Sequence, residues 1–134
     1  MKRIGGAAEW ECELDIRFAE DVTFLRKRQT LRRGERVEKG DTLRLVTPGG
    51  CLIRHAMVSE VERVLIRVDV GCDIFHPKAR AIFARVGAEV LDEGGKYDLA
   101  RADGFADGID AMIDFFEEHD QFEHGIFDGQ IIKW

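Results

Sequence analysis

The 134-residue chain is 45% hydrophobic and 34% charged with a formal charge of −6, proportions that build a folded core and exclude a disordered polyelectrolyte. Its longest apolar runs span only a few residues, too short for a membrane helix, and Met1-Lys2-Arg3-Ile4-Gly5-Gly6 lacks the apolar stretch of a signal peptide. Cys12, Cys51 and Cys72 are far apart and odd in number, which fits a reducing cytoplasm and a fold needing no disulfide, metal or cofactor.

In chain order, residues 1–8 read as a flexible leader, with residues 9–134 as a single domain. From Glu9 to Phe18 the alternation is strict. Trp10, Cys12, Leu14, Ile16 and Phe18 share one face and charged residues the other, as in a half-buried strand. Residues 19–26 suit a short helix or turn around Val22, Phe24 and Leu25. Residues 27–32 are polar except for Leu31, and 33–40 read as a loop. Within this stretch Arg26, Lys27, Arg28, Arg32, Arg33, Arg36 and Lys39 concentrate positive charge. They form either a solvated loop or a contact surface for an anion or nucleic acid. The imbalance is general, since residues 1–86 sum to +4 and residues 87–134 to −10.

Residues 42–47 alternate around Leu43 and Leu45, and Pro48-Gly49-Gly50 signals a turn into a strand over 51–57. The β-branched run of residues 58–70 reads as a long strand or a bent pair. Residues 71–77 break it. Residues 79–91 suit a short helix or loop followed by a strand, and residues 92–96 a loop. Ile109, Met112, Ile113 and Phe116 fall on one helical face, predicting a helix from Asp107, its N-cap, to His119. A turn at Asp128-Gly129 then leads to a closing strand. Several strands with one strong helix indicate an α+β fold, a small β-barrel with flanking helices.

Other motifs carry little. His119, Asp120, His124 and Asp128 lack the helical i, i+4 spacing that favours zinc, and no cysteine joins them, so no metal site is expected. His55 and His76 stand apart as structural residues. Residues 92–96 lack P-loop spacing. Trp10 and Trp134 are core candidates that could also stack a base.

Lys27-Arg28-Gln29-Thr30-Leu31-Arg32 places Lys, Thr and Arg at the intervals of GxKxxTxR. Downstream, Lys39-Gly40-Asp41-Thr42-Leu43 is similar to a GD-x-L strand opening. The order continues with Asp103-Gly104-Phe105, Phe115-Phe116 and Gly129-Gln130-Ile131-Ile132-Lys133-Trp134. Together they resemble the ASCH family. Two positions depart from its pattern: Leu25 replaces the usual glycine, and Asp103 replaces a frequent glutamate.

The resemblance implies a PUA-like barrel whose pocket takes RNA or a modified nucleoside. One branch of that family hydrolyses the exocyclic amide of N4-acetylcytidine. By that likeness Thr30 attacks the acetyl carbonyl, Lys27 takes its proton and Asp103 protonates the departing amine. Such chemistry requires a lysine whose pKa is lowered by desolvation or nearby cations. Arg26, Arg28, Gln29, Arg32 and Arg33 complete the expected substrate-binding set, since forked guanidinium and amide groups can read base edges or phosphates. The alternatives are a non-catalytic RNA-binding adaptor and a metal-independent ribonuclease acting on single-stranded RNA.

Overall fold

The computed structural model describes residues 1–4, 8–24, 26–34, 36–70 and 80–134. Its first elements are β1 (Lys2–Ile4), β2 (Glu9–Glu13), α1 (Ala19–Thr23), β3 (Gln29–Arg33), β4 (Thr42–Val46), β5 (Leu52–Met57) and β6 (Glu60–Val70). They are followed by β7 (Arg80–Val86), β8 (Glu89–Val90), α2 (Glu93–Ala102), α3 (Ile109–Glu118) and β9 (Ile126–Lys133). The fold is α+β, as expected. One sheet has the order β1-β2-β4-β5 and the other β3-β9-β6-β7-β8. Among the described residues neither sheet closes on itself, which corrects the expected barrel. The two sheets instead pack on each other through β9.

β9 has both faces covered. Ile131 joins Leu31, Val64, Ile66, Ala84 and Phe127 beneath the helices. Its neighbour Ile132 joins Cys12, Leu43 and Leu45 of the first sheet and Val58 of the β5–β6 connection. Adjacent strand residues point to opposite faces, so consecutive apolar side chains are what a doubly covered strand requires. Gly129 sits within this strand, so the predicted turn at Asp128-Gly129 is not formed. A Cβ there would lie 2.1 Å from the Arg32 carbonyl oxygen, and glycine permits the close approach of β3.

α3 buries Met112, Ile113 and Phe116 as the periodicity predicts. It is capped by Gly108 at φ 96° rather than by Asp107. The segment after Asp92, expected to be a loop, is α2. The Asp92 carboxylate accepts the Gly95 N–H at 2.7 Å, and this N-cap offsets the poor helix propensity of Gly94 and Gly95. Residues 80–86, read as an irregular or helical lead-in, form β7 along β6.

The alternating strand at the N-terminal end is shorter than its pattern. Asp15 accepts the Arg17 N–H at 3.0 Å and turns the chain into a 3-10 segment over Ile16–Phe18, leaving Ile16 66% exposed. Residues 2–4, expected within a flexible leader, pair antiparallel with β2, Arg3 opposite Trp10. The predicted break at 71–77, with Cys72 and His76, and Leu25 lie outside the described residues. Among the described residues no helix is long and apolar enough to cross a membrane.

Candidate functional site

Lys27 ends the loop that leaves α1. Its backbone N–H and that of Arg26 both donate to the Asp21 carbonyl, at 3.0 and 2.7 Å, so the loop is tied to the helix before β3 begins. The Lys27 side chain then runs inward and is 2% exposed. Asp103, the residue following α2, is 3% exposed. Lys27 Nζ donates to the Asp103 backbone carbonyl and lies 3.2 Å from its carboxylate Oδ1. The ammonium also sits 4.6 Å from the Phe18 ring centroid, where the ring's negative face favours a cation.

Gly104 makes this junction possible. It adopts φ 100°, and a Cβ would lie 2.8 Å from the Phe18 ring. Only glycine takes that backbone turn without strain while leaving the ring room.

Two ionisable groups removed from water each oppose their own charge. Burial lowers the Lys27 pKa, with Asp103 acting in the opposite sense and Arg32 reinforcing the fall. Burial likewise raises the Asp103 pKa, against the pull of Lys27, Arg32 and the Leu31 backbone N–H. Burial thus opposes both charges, while the proximity of the two groups favours both.

β3 supplies the remaining wall. Thr30 is buried, and its Oγ1 accepts from Arg32 Nε at 3.2 Å. A second guanidinium nitrogen of Arg32 donates to the Glu13 carbonyl at 2.7 Å and approaches Cys12 Sγ at 3.4 Å, which fixes the arginine along β2. Lys27, Thr30, Arg32 and Asp103 line one cavity of about 250 Å³, just below the roughly 300–1,000 Å³ usual for drug-sized ligands.

The other expected ligands of this site lie elsewhere. Arg26 is exposed and bound to Asp21 at 2.9 Å and Glu20 at 3.4 Å; the Asp21 hydrogen bond is the main cause of its raised pKa. Arg26, Arg28 and Gln29 border a separate cleft with Lys133 and Trp134. Arg33 is exposed at the end of β3, opposite Gly129. Strand alternation is the cause for Gln29, whose side chain takes the face opposite Thr30. Of the tryptophans, Trp134 packs in the first sheet's core and Trp10 donates to Asp41 at 2.8 Å.

The cavity also draws on residues that the sequence reading did not place in it. His119, Asp15 and Gln121 line its outer part, with Phe18 and Phe115 on its wall. His119 stacks on Phe115 at 4.0 Å between centroids. Among the described residues, no three of its His/Asp neighbours are grouped to hold a metal ion. Sequence spacing could not join Asp15 to His119, because 104 positions separate them and only tertiary packing brings them together. Comparison of the chain with protein-family models, curated proteins and solved structures found no match.

Proposed function

We propose that the cavity binds a modified nucleoside and hydrolyses its exocyclic amide, with N4-acetylcytidine as the type case. The resemblance to the ASCH family suggests the substrate. The observation that carries the chemistry is the buried Lys27–Asp103 pair lining a small cavity beside Thr30.

Burial favours the uncharged couple, amine with carboxylic acid, more than water would. The neutral Lys27 amine takes the proton of Thr30 as Oγ1 attacks the acetyl carbonyl. Arg32 Nε, already donating to that oxygen, stabilises the charge it develops. Asp103 gives its proton to the departing cytosine nitrogen and becomes a carboxylate. Water then attacks the acyl-threonine while Asp103 accepts its proton and Lys27 returns one to Thr30. The sum is amide plus water giving amine plus carboxylic acid, and both residues recover their starting states.

Of the cation cluster, Lys27 and Arg32 line the cavity, whereas Arg26, Arg28 and Arg33 do not, and Arg26 is paired with carboxylates. Chromatography of N4-acetylcytidine incubated with the protein tests the proposal. The wild type is expected to release cytidine. Thr30→Val, which keeps the side chain's shape, should retain ligand binding and lower turnover by at least about a hundredfold. Absence of turnover by micromolar wild type over hours would sink the hydrolase and return the cavity to RNA binding or cleavage.

A further inference from the structure

The cavity is graded in depth. Lys27, Thr30 and Asp103 are buried within it, whereas the side chains of His119 and Asp15 are 47% and 31% exposed at its outer part. Whatever reacts at Thr30 therefore leaves its other end beside His119 and Asp15. For the nucleoside proposed above, on which this inference rests, that end is the sugar.

The outer part is built from acceptors. His119 Nδ1 lies 2.8 Å from the Phe115 carbonyl oxygen, a contact that requires an N–H on that nitrogen. In the neutral ring Nε2 is then a bare lone pair. It faces Asp15 Oδ2 at 3.8 Å, too long for a good direct hydrogen bond. The other oxygen of Asp15, Oδ1, accepts the Arg17 N–H, which holds the carboxylate in place. Gln121 spends an amide N–H on the His119 carbonyl at 3.0 Å. Glu13 adds a second carboxylate to the lining. The cations nearby are committed: Arg32 to Glu13, Cys12 and Thr30, and Arg17 over the rings of Phe18, Phe105 and Phe115.

Two acceptors, adjacent and fixed, call for two adjacent donors. We infer that His119 and Asp15 read the vicinal 2′- and 3′-hydroxyls of a ribose, making them the specificity-determining pair for ribonucleosides over deoxyribonucleosides. Neither residue touches the reacting amide. Stacking on Phe115 and the Nδ1 hydrogen bond fix the ring so that one hydroxyl donates to Nε2 and the other to Oδ2.

Calorimetric titration of cytidine, 2′-deoxycytidine and 3′-deoxycytidine at pH 8 tests the assignment without requiring turnover. Wild type is expected to bind cytidine about tenfold more tightly than either deoxynucleoside. Asp15→Asn and His119→Phe, which preserve the turn and the stack respectively, should each bring below about threefold the ratio for one deoxynucleoside, the one lacking the hydroxyl that residue reads, and leave that deoxynucleoside's affinity unchanged. Equal affinities in the wild type, or both ratios surviving in either variant, would overturn the inference. Hydrolysis without sugar discrimination would defeat this inference and spare the hydrolase. Discrimination without hydrolysis would do the reverse. No binding of any of the three at millimolar concentration would overturn this inference, and together with absence of turnover it would overturn both.

Discussion

Lys27 and Asp103 each depend on the other to remain buried, and their opposed pKa shifts make that dependence measurable. In Asp103→Asn the ammonium loses its counter-charge, so burial holds the Lys27 pKa further below 10.5, its ordinary value. The unfolded chain then binds more protons than the folded one, and stability rises with pH towards that value. In Lys27→Met the lone carboxyl is held further above 3.8, its ordinary value, and stability falls as pH rises through the folded pKa. Each variant should lose about 3–5 kcal/mol at neutral pH. Thermal melts at pH 5, 7 and 9 should show the aspartate variant gaining and the lysine variant losing stability as pH rises. Parallel profiles would refute the assignment. The double variant should be less damaged than the single losses summed, because neither charge is then stranded. Much of this centre was legible in the sequence: Lys27, Thr30 and Arg32 stand within six residues and share one cavity. Gln29 was misplaced because the motif gives spacing without showing which face of β3 each side chain takes. His119 was read only within a discounted His/Asp cluster, and its pairing with Asp15 was silent because no local pattern encodes a contact between distant segments.

Glycine decides two element-scale outcomes in opposite directions. Gly129→Ala drives a methyl group into the Arg32 carbonyl and should force β3 from β9, lowering stability by more than about 3 kcal/mol. Gly94 lies in α2, and an added Cβ would meet only Asp92 Oδ1 at 3.6 Å. Gly94→Ala should therefore stabilise the protein by about 0.5–1 kcal/mol. Urea titration of both variants checks the contrast, and a shift of the same sign in each would contradict it. These two glycines also show where pattern reading stopped. In α2 the glycine pair masked a helix that Asp92 and packing of Leu99 and Ala100 secure. In β9, Asp128-Gly129 has the composition of a turn but serves strand contact. α3 was readable because its apolar face is regular, and β6 because its β-branched run is continuous.

Among the described residues there are two apolar clusters, and β9 contributes buried side chains to both. Phe127 and Ile131 serve the helical side and Ile132 the other, so the clusters should melt as one unit. Trp10 and Trp134 report the first sheet's core through fluorescence, while ellipticity reports the helices. The two melting curves should coincide in the wild type and in Ile132→Ala, which should cost about 2–5 kcal/mol. Separate midpoints would show two independently folding halves. Topology of this kind was only coarsely legible. Composition and periodicity identify mixed strands and helices, but sheet order follows from pairings between distant segments. β3 pairs with β9 in a register that matches Thr30 to Ile132, and β6 pairs with the same strand's other edge. During synthesis, β3 and β6 leave the ribosome well before the segment that joins them. Until residues 126–133 emerge, each keeps an unpaired edge beside unfinished apolar surface. Translation of this one short segment is therefore the step that commits the nascent chain, and stalling just before it would expose two sticky edges to aggregation or chaperone capture.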